Sequence, residues 1–167
     1  VILPGDLSIP PQARAIVLFS HGSGSSRLSP RNNYVANMLQ QAGLATLLFD
    51  LLILKEDFDY KNRFDIDLLT NRLIKVTEIV QKHEETRDLK IGYFGASTGA
   101  TSALRAAAHF GNDIFAVVSR GGRPDLAFNY LSSIKSPVLL LVGALDTEVI
   151  DLNQKASNEL KCRHKLI

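Results

Sequence analysis

The apolar positions of the chain fall into compact runs separated by stretches that repeat at a helical period. Ala15–His21, Ala45–Asp50, Lys90–Phe94, Ile114–Ser119 and Val138–Gly143 are rich in Val, Ile, Leu and Phe, with little alternation. Strands buried on both faces read this way, whereas a half-exposed strand alternates. Between them lie amphipathic segments. Asn32–Ala42 follows Ser29-Pro30, a cap and a first-turn proline, and stops at Gly43. Asp65–His83 carries Ile66, Leu69, Leu73, Val76 and Val80 at helical spacing. Thr98–Phe110 is alanine-rich and ends before Gly111, Asp125–Ile134 is short, and Asp151–Leu160 closes the series. Repeated strand–helix alternation predicts right-handed crossovers and a mostly parallel sheet with helices on both faces, a doubly wound α/β domain. Leu51–Phe64 breaks the pattern: it starts apolar, turns charged, and predicts a surface excursion near the carboxyl ends of the strands.

The 167 residues suffice for one domain, expected over positions 1–167, with no internal repeat, low-complexity tract or linker. A formal charge of +2 gives no reason to expect nucleic acid or a membrane surface as the main partner. No apolar run approaches the roughly 20 residues that span a bilayer, and the amino end has no signal-peptide pattern. The single cysteine, Cys162, excludes an internal disulfide and fits a reducing compartment, so a cytoplasmic location is expected. Val1–Leu3 reads as the end of one strand and His164–Ile167 as the start of another, so a longer domain is expected.

The strongest chemical signal is Gly95-Ala96-Ser97-Thr98-Gly99, directly after one strand and directly before a helix. A bare G-x-S-x-G arises by chance in about one chain in twenty of this length; this context is what a nucleophile elbow requires. A sharp turn there exposes the serine hydroxyl at a helix amino end, where developing negative charge is favoured. The competing reading is a glycine-rich turn with a capping serine, or a phosphate-binding turn. His21-Gly22-Ser23-Gly24-Ser25-Ser26 follows the first long strand. Acyl transfer needs two N–H donors aimed at an oxyanion, and the N–H groups of Ser23 and Thr98 are the candidates. A flexible loop, or a phosphate cradle without the P-loop lysine, is the alternative.

Asp146 ends a strand on the ligand-binding side of such sheets and follows Ser97 in the order nucleophile, acid, histidine. The alternative reading is a cap for the next helix, and Asp125 is the reserve acid. The histidines are His21, His83, His109 and His164. His21 belongs to the oxyanion loop as a support, His83 and His109 lie near the far ends of helices, and His164 starts a strand at the opposite edge. None suits a general base, which is expected after Ile167. Arg27, Arg31, Arg120 and Arg123 follow strands on the ligand side, where guanidinium groups suit an anionic substrate or pair with local acids. Cys162 reads as a buried or neutral thiol, and no metal site is evident.

These motifs carry a resemblance. The segments FSHGSGSS at Phe19–Ser26, GYFGASTGA at Gly92–Ala100 and VLLLVGALD at Val138–Asp146, in this order with helices between, resemble the dienelactone hydrolase-like branch of the α/β-hydrolases. The resemblance implies an eight-stranded, mostly parallel sheet and a Ser/Cys–Asp–His triad working without a cofactor. Ser97 matches the nucleophile, Asp146 the acid, and Ser23 and Thr98 the oxyanion positions. Dienelactone hydrolases proper use cysteine at the nucleophile, so serine here departs from them, and the family histidine has no match in this chain. The expected activity is hydrolysis of small carboxylic esters or lactones through an acyl-enzyme. The alternatives are a non-catalytic binding module or inactive remnant on the same scaffold, or an acyltransferase. Substrate identity and oligomeric state are not legible in the sequence.

Overall fold

The structure, a computed structural model, describes residues 1–167. Its elements in chain order are β1 (Gly5–Ser8), β2 (Ala15–Ser20), α1 (Pro30–Gln41), β3 (Ala45–Phe49), α2 (Leu54–Asp57), α3 (Ile66–Val80), β4 (Lys90–Ala96), α4 (Thr98–Phe110), β5 (Ile114–Arg120), α5 (Phe128–Leu131), β6 (Val138–Leu141), α6 (Thr147–Glu159) and β7 (His164–Leu166). The strands form one sheet in the order β1-β3-β2-β4-β5-β6-β7. β1 runs antiparallel to β3 and every other pair is parallel. No helix is long and apolar enough to cross a membrane.

Both faces are covered, unequally. The larger core lies under α3, α4, α5 and α6, and includes Leu18, Leu73, Tyr93, Leu104, Leu131 and Leu140. A small cluster of Phe19, Ala36, Leu48 and Phe94 lies under α1 on the other face. Successive strand residues point to opposite faces, which is why Leu18 and Phe19, or Tyr93 and Phe94, fall in different clusters.

Two expectations need correction. Val1–Leu3 forms no strand; the first strand is Gly5–Ser8. Its residues carry little strand propensity and sit at an exposed edge, so no apolar run marks it. Asp125–Ile134 is not one helix but a 3-10 turn at Pro124–Ala127 followed by the single-turn α5. The buried residues Ala127, Leu131 and Ile134 mimic helical spacing without a continuous helix. The fold class stands as expected: one seven-stranded, mostly parallel sheet with helices on both faces.

The excursion Leu51–Phe64 contains α2 and a 3-10 turn at Tyr60–Phe64. It is pinned by Arg63 on Asp57, with Nε–Oδ1 at 2.7 Å, and by Arg72 on Glu56. Register sets the carboxyl edge of the sheet. Ser20 aligns with Gly95, Ala96 with Arg120, and Arg120 with Leu141. The loops after β2, β4, β5 and β6 therefore emerge side by side.

Candidate active site

Ser97 lies between β4 and α4 with φ 51° and ψ −124°, a left-handed conformation that ordinary residues avoid. Such a conformation costs about 1–3 kcal/mol and persists only where surrounding structure enforces it. Here packing enforces it. A Cβ on Gly95 would sit 2.5 Å from Ala100 Cα and 2.7 Å from Gly99 O. A Cβ on Gly99 would run into the carbonyl oxygens of Ser20 and His21. The two glycines let α4 start immediately and lie against the end of β2. The Ser97 N–H donates to Arg120 O at 3.2 Å, tying the elbow to β5, and its side chain is exposed at the amino end of α4.

The loop after β2 lies beside the elbow. Ser20 Oγ and Ser102 Oγ are 2.8 Å apart and buried, which stitches the end of β2 to α4. A Cβ on Gly22 would stand 3.0 Å from Ser97 Cβ, a measure of how closely the loop approaches. A tight turn follows, in which Ser25 N–H donates to Gly22 O at 3.2 Å and Gly24 takes φ 68°. Within that turn the Ser23 N–H has no hydrogen-bond partner. Ser23 and Thr98 line one small space closed by Asp57 and Arg63 of the excursion. Thr98 is the first residue of α4, where backbone N–H groups lack intrahelical acceptors.

His21 is buried and spends both ring nitrogens on structure. Nδ1 lies 2.9 Å from Gly22 O, and Nε2 accepts the Leu51 N–H at 2.9 Å. The ring therefore carries its proton on Nδ1 and joins the loops after β2 and β3. Burial pushes its pKa down, against the opposing pull of the Gly22 carbonyl and the charges of Asp50 and Asp57. His83 Nδ1 accepts the Glu85 N–H at 3.3 Å beyond α3. His109 sits in the last turn of α4 against Phe110. His164 opens β7 opposite Val138, at the amino ends of the strands, with Nδ1 2.8 Å from Cys162 O. None of the four stands beside Ser97 with a free ring nitrogen.

Asp146 precedes α6 at the cap position, is exposed, and its side chain makes no capping hydrogen bond. One strand, β5, separates its loop from the elbow, and a cleft runs between them along Ser97, Arg120, Gly121 and Gly143. The reserve acid Asp125 is held by Arg123, with Nε–Oδ1 at 2.9 Å and Nη2–Oδ2 at 2.8 Å. Arg27 is likewise engaged, on Asp50 at 3.0 Å and Asp6 at 3.2 Å. Arg31 and Arg120 have no ion-pair partner, and both line the cleft next to Ser97. The four arginines thus separate into two that are paired locally and two that face the cleft. Asn32, which sequence reasoning passed over as an ordinary helix residue, is buried, with Oδ1 3.4 Å from Arg120 Nη2. Burial pushes the Cys162 thiol up, and the residue adjoins β7, not the elbow.

No protein-family model matches the chain. The structure superposes on a dienelactone hydrolase from Anabaena variabilis with a TM-score of 0.96 and 54% identity, covering 99% of this chain and 79% of that one. The chain belongs to the dienelactone hydrolase family. Its fold is the α/β-hydrolase fold, which it also shares with Est1E from Butyrivibrio proteoclasticus at a TM-score of 0.81 and 17% identity, over 99% of this chain and 84% of that one. Two Mycobacterium tuberculosis proteins, from strains CDC 1551 and H37Rv, are 54% identical over 156 residues, 93% of this chain. They carry the provisional name of phosphoribosyl transferase, and the chain spans 35% of their length. The dienelactone hydrolase family member thus matches, in part, proteins named for another reaction.

Proposed function

We propose that the chain is the serine-hydrolase part of an enzyme that cleaves small carboxylic esters or lactones through an acyl-enzyme. The observation that carries this is the strained, exposed Ser97 at the amino end of α4, with the unpartnered Ser23 N–H in the loop packed against it. Ser97 Oγ attacks the carbonyl carbon, and the carbonyl oxygen becomes an oxyanion held by the N–H groups of Ser23 and Thr98. Collapse expels the alcohol, and water then releases the acid. Asp146 orients the histidine that takes and returns the proton. The four histidines of this chain are engaged or distant, so that base comes from outside these residues. The name carried by the mycobacterial relatives favours no second mechanism here. A serine on a strained elbow serves acyl transfer and has no evident part in displacing pyrophosphate from a sugar carbon.

The test is p-nitrophenyl acetate hydrolysis by the full-length protein beside its Ser97→Ala variant, with fluorophosphonate labelling of Ser97. Activity that falls by about 10⁴-fold or more in the variant is expected. Intact activity in Ser97→Ala would sink the reading. Absence of both activity and labelling in the parent would leave a binding module on the hydrolase scaffold. Capture of the acyl group by added alcohols in preference to water would make the enzyme an acyltransferase.

A further inference from the structure

Arg31 and Arg120 face the same cleft with no acid between them. The cleft, about 450 Å³, adjoins Ser97 and is walled mostly by polar residues, among them Ser25, Ser29, Arg31, Asn32 and Arg120. Arg27, Arg63, Arg72, Arg105 and Arg123 each have a carboxylate partner; Arg31 and Arg120 have none. The Arg120 guanidinium is half-buried, its Nε is buried without a partner, and its Nη2 reaches only Asn32 Oδ1 at 3.4 Å. Its far face lies over the Phe94 ring, 5.9 Å from the centroid. Burial first, and the charge of Arg31 second, push it down from its ordinary value, as a missing counter-charge predicts.

The third element of the cleft is the start of α1, a 12-residue helix. Ser29, Pro30, Arg31 and Asn32 form its first turn, and the Arg31 N–H has no partner. The positive end of a helix dipole and open N–H groups suit an anion. A carboxylate brings one charge and two oxygens, and would leave one of two guanidinium charges uncompensated. A phosphate monoester brings close to two charges at neutral pH and three oxygens, which matches two guanidiniums, an open N–H and the neighbouring hydroxyls.

We propose that this cleft is a phosphate-binding subsite, and that the ester or lactone cleaved at Ser97 carries a phosphate monoester gripped by Arg31 and Arg120. The substrate clause rests on the acyl-enzyme reading of Ser97; the binding clause does not. The test is calorimetric titration of the full-length Ser97→Ala protein with inorganic phosphate and, separately, with succinate at constant ionic strength. Saturable phosphate binding, at least tenfold tighter than succinate, is expected. Arg31→Gln and Arg120→Gln should each weaken it at least tenfold, while Arg87→Gln, in an exposed stretch ahead of β4, leaves it unchanged. Phosphate should also compete with p-nitrophenyl acetate in the parent protein. No saturable phosphate binding, equal affinity for succinate, or binding kept in both arginine variants would overturn the subsite. Arg31 is exposed, so its variant reports even where Arg120→Gln fails to fold. Arginine-dependent phosphate binding without fluorophosphonate labelling of Ser97 would keep the subsite and remove the acyl reading. Labelling without phosphate binding would do the reverse.

Discussion

The loop that presents Ser97 and the loop that presents Asp146 leave neighbouring parts of one sheet edge, yet they are built in opposite ways. Around Ser97 the backbone is pressed from three sides: Gly95 against the next turn of α4, Gly99 against the carbonyls that end β2, and Gly22 against the serine itself. Around Asp146 almost nothing touches. A Cβ on Gly143 would meet no atom within 4 Å, Leu145 is 98% exposed, and the Asp146 carboxylate has no hydrogen-bond partner on its helix. The comparison teaches that these residues alone fix the proposed nucleophile, Ser97, and the loop packed against it, while they leave the carboxylate of Asp146, the proposed acid, free to turn. A strained conformation needs neighbours on every side to hold it. A carboxylate that orients a histidine needs only the histidine.

The sharpest way to break the packed half is Gly99→Ala. Its new methyl meets two backbone carbonyls, which cannot move without detaching β2 from α4. Overpacking of this kind costs about 3 kcal/mol or more, so the denaturation midpoint should fall steeply, or the variant should fail to fold. A near-neutral result would mean that the start of α4 does not pack directly on the Ser20 and His21 carbonyls. His21→Ala should cost less, about 2 kcal/mol, because it leaves the Leu51 N–H without its acceptor. The same histidine gives the parent protein a pH dependence. Its folded pKa lies below the ordinary 6.5, so the unfolded chain takes up a proton that the folded protein refuses. The stability is present above about pH 6.5 and is lost as pH falls from there toward the depressed folded value. Denaturation at pH 7.5 and pH 5.5 should show this loss in the parent and a smaller one in His21→Ala. Equal slopes would show that the ring is not held neutral.

What the sequence reveals follows the same division. The strands β2 to β6 are legible because burial on both faces demands unbroken apolar runs, and β1 is not, because an edge strand of Gly-Asp-Leu-Ser answers to one neighbour only. The elbow is legible because glycine is required on both sides of Ser97, a constraint that has to appear in the residues themselves. The ion pairing of the arginines is harder to read. Arg27 finds Asp6 and Asp50 only once β1 and β3 are paired, and nothing near Arg27 in sequence announces either acid. The placement of Arg120 beside Asn32 brings the first turn of α1 to the end of β5, a tertiary fact that no local pattern contains.

The packed half can also be relaxed. Ser97→Gly removes the side chain that makes φ 51° costly, so it should raise stability by about 1 kcal/mol while abolishing the chemistry. A loss of stability would mean that the serine side chain contributes contacts outweighing its backbone strain.

The smallest expected effect tests the open half. Gly143 is not among the glycines with positive φ, and the space where its Cβ would go is empty. Gly143→Ala therefore restricts the unfolded chain without disturbing the folded one, and should stabilise by about 0.4–1 kcal/mol. The contrast with Gly99→Ala is the useful quantity: the same added methyl, on two loops of one sheet edge, should give opposite signs. If Gly143→Ala destabilises by 1 kcal/mol or more in the full-length protein, then residues outside this chain pack on the Asp146 loop. The freedom of the acid would then belong to these 167 residues and not to the working enzyme.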